Sequence, residues 1–384
     1  MPSYHALGEI PPKRHTQFRK PDGTLYAEEL FGVEGFSGCF SLLYHQYQPT
    51  RVSKIAKHSD VVLEEWHQPT HRHHHLKTAP LVPGGDPISG RRILMFNDNV
   101  SIGVVRPTDP MPYFYRNAEC DELYFVHEGT GRFETIFGTL PYREGDYVNL
   151  PRGTTYRIVS DSKNARLLFV EAHGPIETPR RYRNEFGQLL EHAPFSDRDF
   201  RLPQELPIHE ERGDFEVRIK VNNALMSYGY DFHPLDLVGW DGYLYPYIFN
   251  IADFEPITGR VHQPPPVHQT FQGPQFVVCS FCPRKLDYHP LSVPVPYNHS
   301  NIDSDEMIYY VSGNFGSRKG IEVSSITLHP RGIAHGPHPG TVEKSLGAER
   351  TEELAVMVDT FHPLRFTTDA RALDDESYPF SWLE

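Results

Sequence analysis

Cysteine is scarce in this chain: Cys39, Cys120, Cys279 and Cys282 are the only four in 384 residues. That count excludes a disulfide framework as the organising device and suits a reducing compartment. Cys279 and Cys282 form a lone CxxC inside the apolar run FVVCSFCPR, without the second pair that a zinc ribbon needs. They are expected to be ordinary strand residues. Runs of Lys and Arg are absent too, and acidic residues outnumber basic ones by 50 to 37, a formal net charge of −13. Nucleic acid and anionic membrane surfaces are poor partners for such a chain. No window approaches the ~18 uninterrupted apolar residues of a membrane span. The opening MPSYHALGEIPPKRHTQF lacks the apolar centre of a signal peptide. The expectation is a cytoplasmic protein with neither a membrane nor a nucleic-acid partner.

Long helices are a further expected absence. The 35 prolines are about twice the usual share and tolerated poorly inside helices. With 24 Phe and 21 Tyr they favour short strands joined by long loops, a mainly β chain. RRILMFNDNVSIGVVRP reads as two short strands about an Asn-Asp-Asn turn, and residues 117–161 alternate strand and turn with Gly at the reversals. ARLLFVEAHGP, FVVCSFCPR and LAVMVDTFHP read as further strands, whereas FGQLLEH is the best short-helix candidate.

What the chain has in quantity is histidine, 22 in all. WHQPTHRHHHLKT holds His71, His73, His74 and His75 close together but has no carboxylate or cysteine beside them. Consecutive strand residues point to opposite faces, so this cluster is expected to be a loop or interface segment. The segment from His299 to His335 is different. It offers His299, the acidic pair Asp305 and Glu306, and His335. Two imidazoles and one carboxylate on β-structure are the ligand set of a mononuclear non-haem Fe(II) site with positions left open for substrate and O2. A zinc hydrolase would also need only three protein ligands and a water. His329, Tyr297 and Asn301 flank this set as candidate substrate contacts, and His338 falls in the loop beyond it. A proton acceptor for a substrate hydroxyl is sought among histidines. RVHQPPPVHQTF offers His262, with His268 as the alternative.

Two spacings connect this segment with an earlier one. Gly145, Pro151, Gly153 and Tyr156 resemble the second motif of the cupin family, Gly-x5-Pro-x-Gly-x2-His, with Tyr156 in place of the metal-binding His. Pro330, Gly332 and His335 repeat the Pro-x-Gly-x2-His part with the His present, and Ser324 stands where the Gly would be. Glu306 is preferred to Asp305 because Glu306-x6-Gly313 fits the first cupin motif. The resemblance implies two cupin-like barrels of jelly-roll type, the first without metal and the second with it. The expected division is an N-terminal arm and strands at 1–91, a metal-free barrel at 92–173, a connector at 174–236, and a metal-binding barrel with a C-terminal tail at 237–384.

Longer stretches, over roughly 22–363, resemble the homogentisate 1,2-dioxygenase family. LYAEELFG is similar to its LYAEQLSG and VGWDGYLYPYIFN to its VGWHGNYTPYKYN, while PYNHSN, DE and HGP stand where it has YHRN, SE and HGP. The resemblance implies Fe(II) held by His299, Glu306 and His335, with His262 as the base. It puts His329, Asn301 and His335 at the substrate, and Phe315 where the family commonly has a substrate-binding Tyr. It further implies opening of homogentisate to maleylacetoacetate with both atoms of O2, in tyrosine and phenylalanine breakdown, by a homo-oligomer of trimers or hexamers. Phe315 and the PPP segment are departures that leave room for a related para-diphenol such as gentisate or a substituted hydroquinone. A cupin metal isomerase or hydrolase, or a non-catalytic cupin, is a further reading.

Overall fold

Strands dominate the computed structural model, which describes residues 3–383 apart from 314, 316, 317 and 319. Its α-helices among these residues are single turns, Thr341–Ser345 and Thr368–Arg371. No helix among them is long and apolar enough to cross a membrane. The expected strands are present: Arg92–Phe96 and Val100–Val105 flank a turn in which Asn97 Oδ1 accepts from the backbone N–H groups of Asn99 and Val100. Phe276–Phe281 and Leu354–Thr360 are strands as well. FGQLLEH is not a helix. Asn184 Oδ1 accepts from the backbone of Phe186 and Gln188, and Gly187 turns the chain at φ 82°, so a side-chain-capped turn wins over helix propensity.

Two sheets share one strand order. The first runs Tyr247–Asn250, Asp146–Leu150, Asp121–Glu128, Arg166–Ala172, Val100–Val105, Arg92–Phe96, with further strands at both ends. The second runs His74–Leu76, Ile326–His329, Asp305–Ser312, Leu354–Thr360, Phe276–Phe281, Gln269–Gly273. The correspondence extends to registers. Glu122 lies opposite Leu150 and Glu171, and Glu306 lies opposite His329 and Asp359. Asp121 accepts from the backbone and guanidinium of Arg152 and from Ile176 N–H. Asp305 does the same for Arg331 and Leu364. Tyr115 bridges to Tyr156 as His299 bridges to His335. The departure at Ser324 keeps the backbone turn: it takes φ 65° where Gly145 takes φ 84°, and each donates its N–H to the matching strand, at Tyr310 and Val126.

Strand alternation places the two sheets back to back. Leu123 and Phe125 share a core with Met307, Tyr309, Val356 and Val358. Tyr124 and Val126 point the other way, towards Phe133, Leu140, Tyr156 and Ile158 of a second, seven-stranded sheet. By the same alternation Ile308 and Tyr310 point away from the shared core, on the face that carries Glu306. The expected boundaries at 92 and 237 are crossed by strand pairing. His74–Leu76, from the expected N-terminal arm, forms the edge of the second sheet, and Tyr247–Asn250, from the expected second barrel, pairs within the first. Short apolar segments carry no local sign of which sheet they will complete.

Asp305 should therefore be a structural carboxylate. Asp305→Ala leaves the buried N–H of Leu364 and that of Arg331 without an acceptor, at a cost of about 2–4 kcal/mol. A clearly lowered urea midpoint at unchanged slope is the expected outcome.

Candidate metal centre

His299 and His335 are joined by reciprocal backbone hydrogen bonds, His299 N–H to His335 O at 2.8 Å and His335 N–H to His299 O at 2.9 Å. This pairing fixes the two side chains relative to each other, with ring centroids 4.2 Å apart. Glu306 reaches them from the neighbouring strand. His299 Nε2 lies 3.6 Å from Oε2 and His335 Nε2 lies 3.4 Å from Oε1 of its carboxylate. One donor atom from each of the three residues lies within 4.8 Å of the others. Asp305 points the other way into its backbone hydrogen bonds, so the carboxylate brought to the histidines is Glu306.

The tautomers are set by the backbone. His299 Nδ1 stands 3.1 Å from Tyr297 O, and His335 Nδ1 stands 3.4 Å from Ile333 O. A carbonyl can only accept, so each Nδ1 carries the proton and each Nε2 presents a lone pair to the centre. His335 Nε2 is buried and makes no hydrogen bond among the described residues. An orphaned imidazole nitrogen, a second lone pair and a carboxylate converging on one point suit a divalent cation. Burial pushes the Glu306 carboxyl up, but the surrounding imidazoles of His299, His329 and His335, of which His329 donates a hydrogen bond, outweigh it and hold the group well below the usual carboxylate range. The same contact with Glu306 raises His299, against the opposing effect of burial.

His329, expected to touch substrate, is placed behind the ligands instead. It is fully buried, with Nδ1 2.8 Å from Glu306 Oε1 and Nε2 3.2 Å from the Tyr378 hydroxyl. Its ring stacks on His335 at 4.4 Å. Burial holds it down to about 3, so it stays neutral, donates from Nδ1 to the carboxylate and accepts from Tyr378. The strand register explains the position: His329 is the cross-strand neighbour of Glu306.

His73, His74 and His75 of the His71–His75 cluster also lie behind the centre as buried packing, whereas His71 is exposed. His73 abuts His329 and His335 and approaches Ala334 O at 3.2 Å, His74 pairs with Asp374, and His75 meets Ser325 Oγ at 2.8 Å. His338 stacks on Trp382 at 4.2 Å and meets Ser381 Oγ. The last residues thus form the rear wall, a role that nothing in their sequence announced.

On the open side a cavity of about 390 Å³ is lined by His262, His268, Tyr297, His299, Asn301 and Glu306, among others. Phe315 does not reach it. The ring packs against Tyr310 at 4.7 Å, and Tyr310 takes the place in the wall. His262 is half-buried, with Nδ1 3.5 Å from Asp287 Oδ2 and its ring 5.1 Å from that of Tyr297. His268 is buried, and that burial drives it down to about 3. The wall also holds Asp359, Arg284, Arg318 and Glu353, none of them anticipated. Asp359 was within reach of the sequence, because LAVMVDTFHP aligns with ARLLFVEAHGP and sets Asp359 on Glu171. Its buried Oδ1 makes no hydrogen bond among the described residues, and burial together with the Glu306 charge raises it well above the usual range.

Comparison with known proteins adds the lineage. The family model described as the N-terminal part of homogentisate 1,2-dioxygenase matches residues 76–251. A protein of Saccharolobus solfataricus named "Putative dioxygenase" is 46% identical over 382 residues, spanning 99% of this chain and 98% of its own. The homogentisate 1,2-dioxygenase of Emericella nidulans is 28% identical, across 90% of this chain and 83% of that one. Among solved structures, a cupin 2 conserved barrel domain protein from Leptotrichia buccalis is similar at a TM-score of 0.34 and 8% identity, covering 78% of this chain and all of that one. Similarity along nearly the whole length of one dioxygenase, and across most of another, shows that the chain belongs to the homogentisate dioxygenase family.

Proposed function

We propose that the chain is an Fe(II)-dependent ring-cleaving dioxygenase that opens homogentisate to maleylacetoacetate, adding both atoms of O2. The observation that carries this reading is the convergence of two Nε2 lone pairs and one carboxylate beside a cavity with room for an aromatic ring. His299, Glu306 and His335 would hold the metal. Bound Fe(II) supplies Lewis acidity and the means for O2 to react with a closed-shell ring. The charge of Glu306 offsets one of the two positive charges, so the centre still favours an anionic phenolate.

The remaining work falls to the chain. His262 is the proposed acceptor of the substrate hydroxyl proton. Asp287 beside Nδ1 steadies the imidazolium, and partial exposure gives the proton a route to solvent. His268 is the weaker candidate because burial denies it a proton near neutral pH. Tyr297 and Asn301 line the entrance and are proposed to orient substrate oxygens. His329 acts through Glu306: its Nδ1–H holds one carboxylate oxygen in place. A cytoplasmic location and assembly into trimers or hexamers belong to the same proposal. A related para-diphenol, gentisate or a substituted hydroquinone, is the second reading. It is favoured by Phe315, which has no hydroxyl and stands outside the cavity wall.

Anaerobic reconstitution with Fe(II), followed by oxygen uptake with homogentisate, gentisate and hydroquinone side by side, separates the two readings. Uptake and a rise in near-ultraviolet absorbance with homogentisate alone are expected, and faster uptake with either of the others would replace it as substrate. His299→Ala should lose both bound iron and turnover, read by metal analysis and oxygen electrode; full activity would remove His299 from the ligand set. His262→Gln should keep its iron and lower kcat by about 10²–10⁴-fold. A loss of iron in that variant would instead assign His262 to the centre itself.

A further inference from the structure

The cavity beside the metal centre runs along one face of the second sheet, and strand pairing orders its floor. Glu306 lies opposite Asp359, Ile308 opposite Met357, and Tyr310 opposite Ala355, with Phe281 beyond Ala355 on the adjoining strand. From Glu306 to Tyr310 the floor runs four residues, about 13 Å at strand spacing. The carboxylate and the two histidines occupy one end. Ile308 and Met357 make the stretch between apolar. At the other end Arg284 enters the wall, its guanidinium carbon 5.8 Å from the centre of the Phe281 ring.

The backbone holds Arg284 there. Arg284–Lys285 pairs with Arg350–Thr351 as a two-stranded ribbon, and Arg284 Nη1 donates to Cys282 O at 3.2 Å. That contact uses one of the five donors of a guanidinium. Among the described residues no carboxylate lies within ion-pair distance of Arg284. Glu353 is the acid whose charge acts on it most, and burial raises that carboxyl above its usual range. The Arg284 side chain is half-buried, and no nitrogen of it that lacks a hydrogen bond is sealed in the interior. Arg318, the other guanidinium of the wall, differs: it donates to Gly336 O and its Nε is sealed. A planar cation partly withdrawn from water, without a carboxylate partner and open to a cavity, suits a carboxylate that its fork can hold by two hydrogen bonds.

We propose that Arg284 anchors the carboxylate of an aromatic acid in this cavity and so selects a ring that bears an acidic side group. The guanidinium takes the carboxylate at one end, the ring lies along Ile308 and Met357, and the ring hydroxyl faces His299, Glu306 and His335 at the other. The proposal rests on the ring-cleaving reading above and narrows it: homogentisate and gentisate carry the group that Arg284 holds, and hydroquinone does not.

Anaerobic isothermal titration of the full-length protein with 2-hydroxyphenylacetate and with 2-hydroxyphenylacetamide tests the anchor by binding alone. The two share the ring and the hydroxyl, and only the first has a charged pair of acceptor oxygens. The acid should bind about ten-fold more tightly or better. Arg284→Gln should erase that preference by weakening the acid and not the amide. Arg284→Lys keeps the charge without the fork and should keep part of the preference. Cooperative thermal unfolding checks that each variant is folded; if Arg284→Gln is not, an undiminished preference in Arg284→Lys overturns the proposal in its place. Equal binding of acid and amide, binding of neither, or a preference that survives Arg284→Gln overturns it directly. Oxygen uptake separates this failure from that of the reaction. Turnover of homogentisate by Arg284→Gln at an unchanged KM keeps the dioxygenase and discards the anchor. An Arg284-dependent preference without uptake on homogentisate keeps the anchor and discards the reaction.

Discussion

A carboxylate taken out of water must be compensated, and the second half of this molecule is arranged around how Glu306 meets that requirement. Three imidazoles surround it. His329 supplies a hydrogen bond from behind, and His299 and His335 approach from the front with the protons of their other nitrogens committed to backbone carbonyls. The group stays ionised although it is fully buried. Two lone pairs and a negative charge facing one another across 3.4–3.6 Å repel, and a cation between them relieves that repulsion. The same requirement reaches outward: His329 is positioned by Tyr378, and Tyr378 belongs to the tail that closes the rear of the site.

The first half meets the same requirement without a metal. Glu122 occupies the register of Glu306, and Arg91 with two tyrosine hydroxyls surrounds it. One backbone plan therefore surrounds a buried acid in two ways, with a guanidinium in the first half and with imidazoles in the second.

Much of this was legible in the sequence. Strands between 92 and 172 announce themselves through alternation and glycine turns, and the Pro-x-Gly-x2 spacing carried both halves. The choice of Glu306 over Asp305 rested on its distance to Gly313, and the structure shows what that distance reflects. Gly313 turns the chain at φ 97°, where an added Cβ would lie 2.2 Å from Glu352 O, and Gly129, seven residues after Glu122, turns it likewise at φ 105°. What escaped notice depends on partners far away in the chain. The place of His329 behind Glu306 follows from strand pairing, and the rear wall from a tail whose Trp382 meets His338. FGQLLEH misled because local helix propensity was read where a capped turn decides.

The exchange of edge strands has a consequence for how such a chain comes into being. The second sheet takes its edge from His74–Leu76, synthesised some 250 residues before the strand it pairs with, Ile326–His329. The first sheet meanwhile waits for Tyr247–Asn250 before Asp146–Leu150 is covered. During translation each half therefore spends time with an unpaired strand edge, the kind of surface that invites pairing with other chains. The interlock that gives the finished molecule no simple place to be divided also makes its assembly slow and late, because closing contacts so distant in sequence carries the largest entropic cost. The cluster of His299, Glu306 and His335 is among the last features to form, since its strand is completed only when the earliest and latest parts of the chain meet.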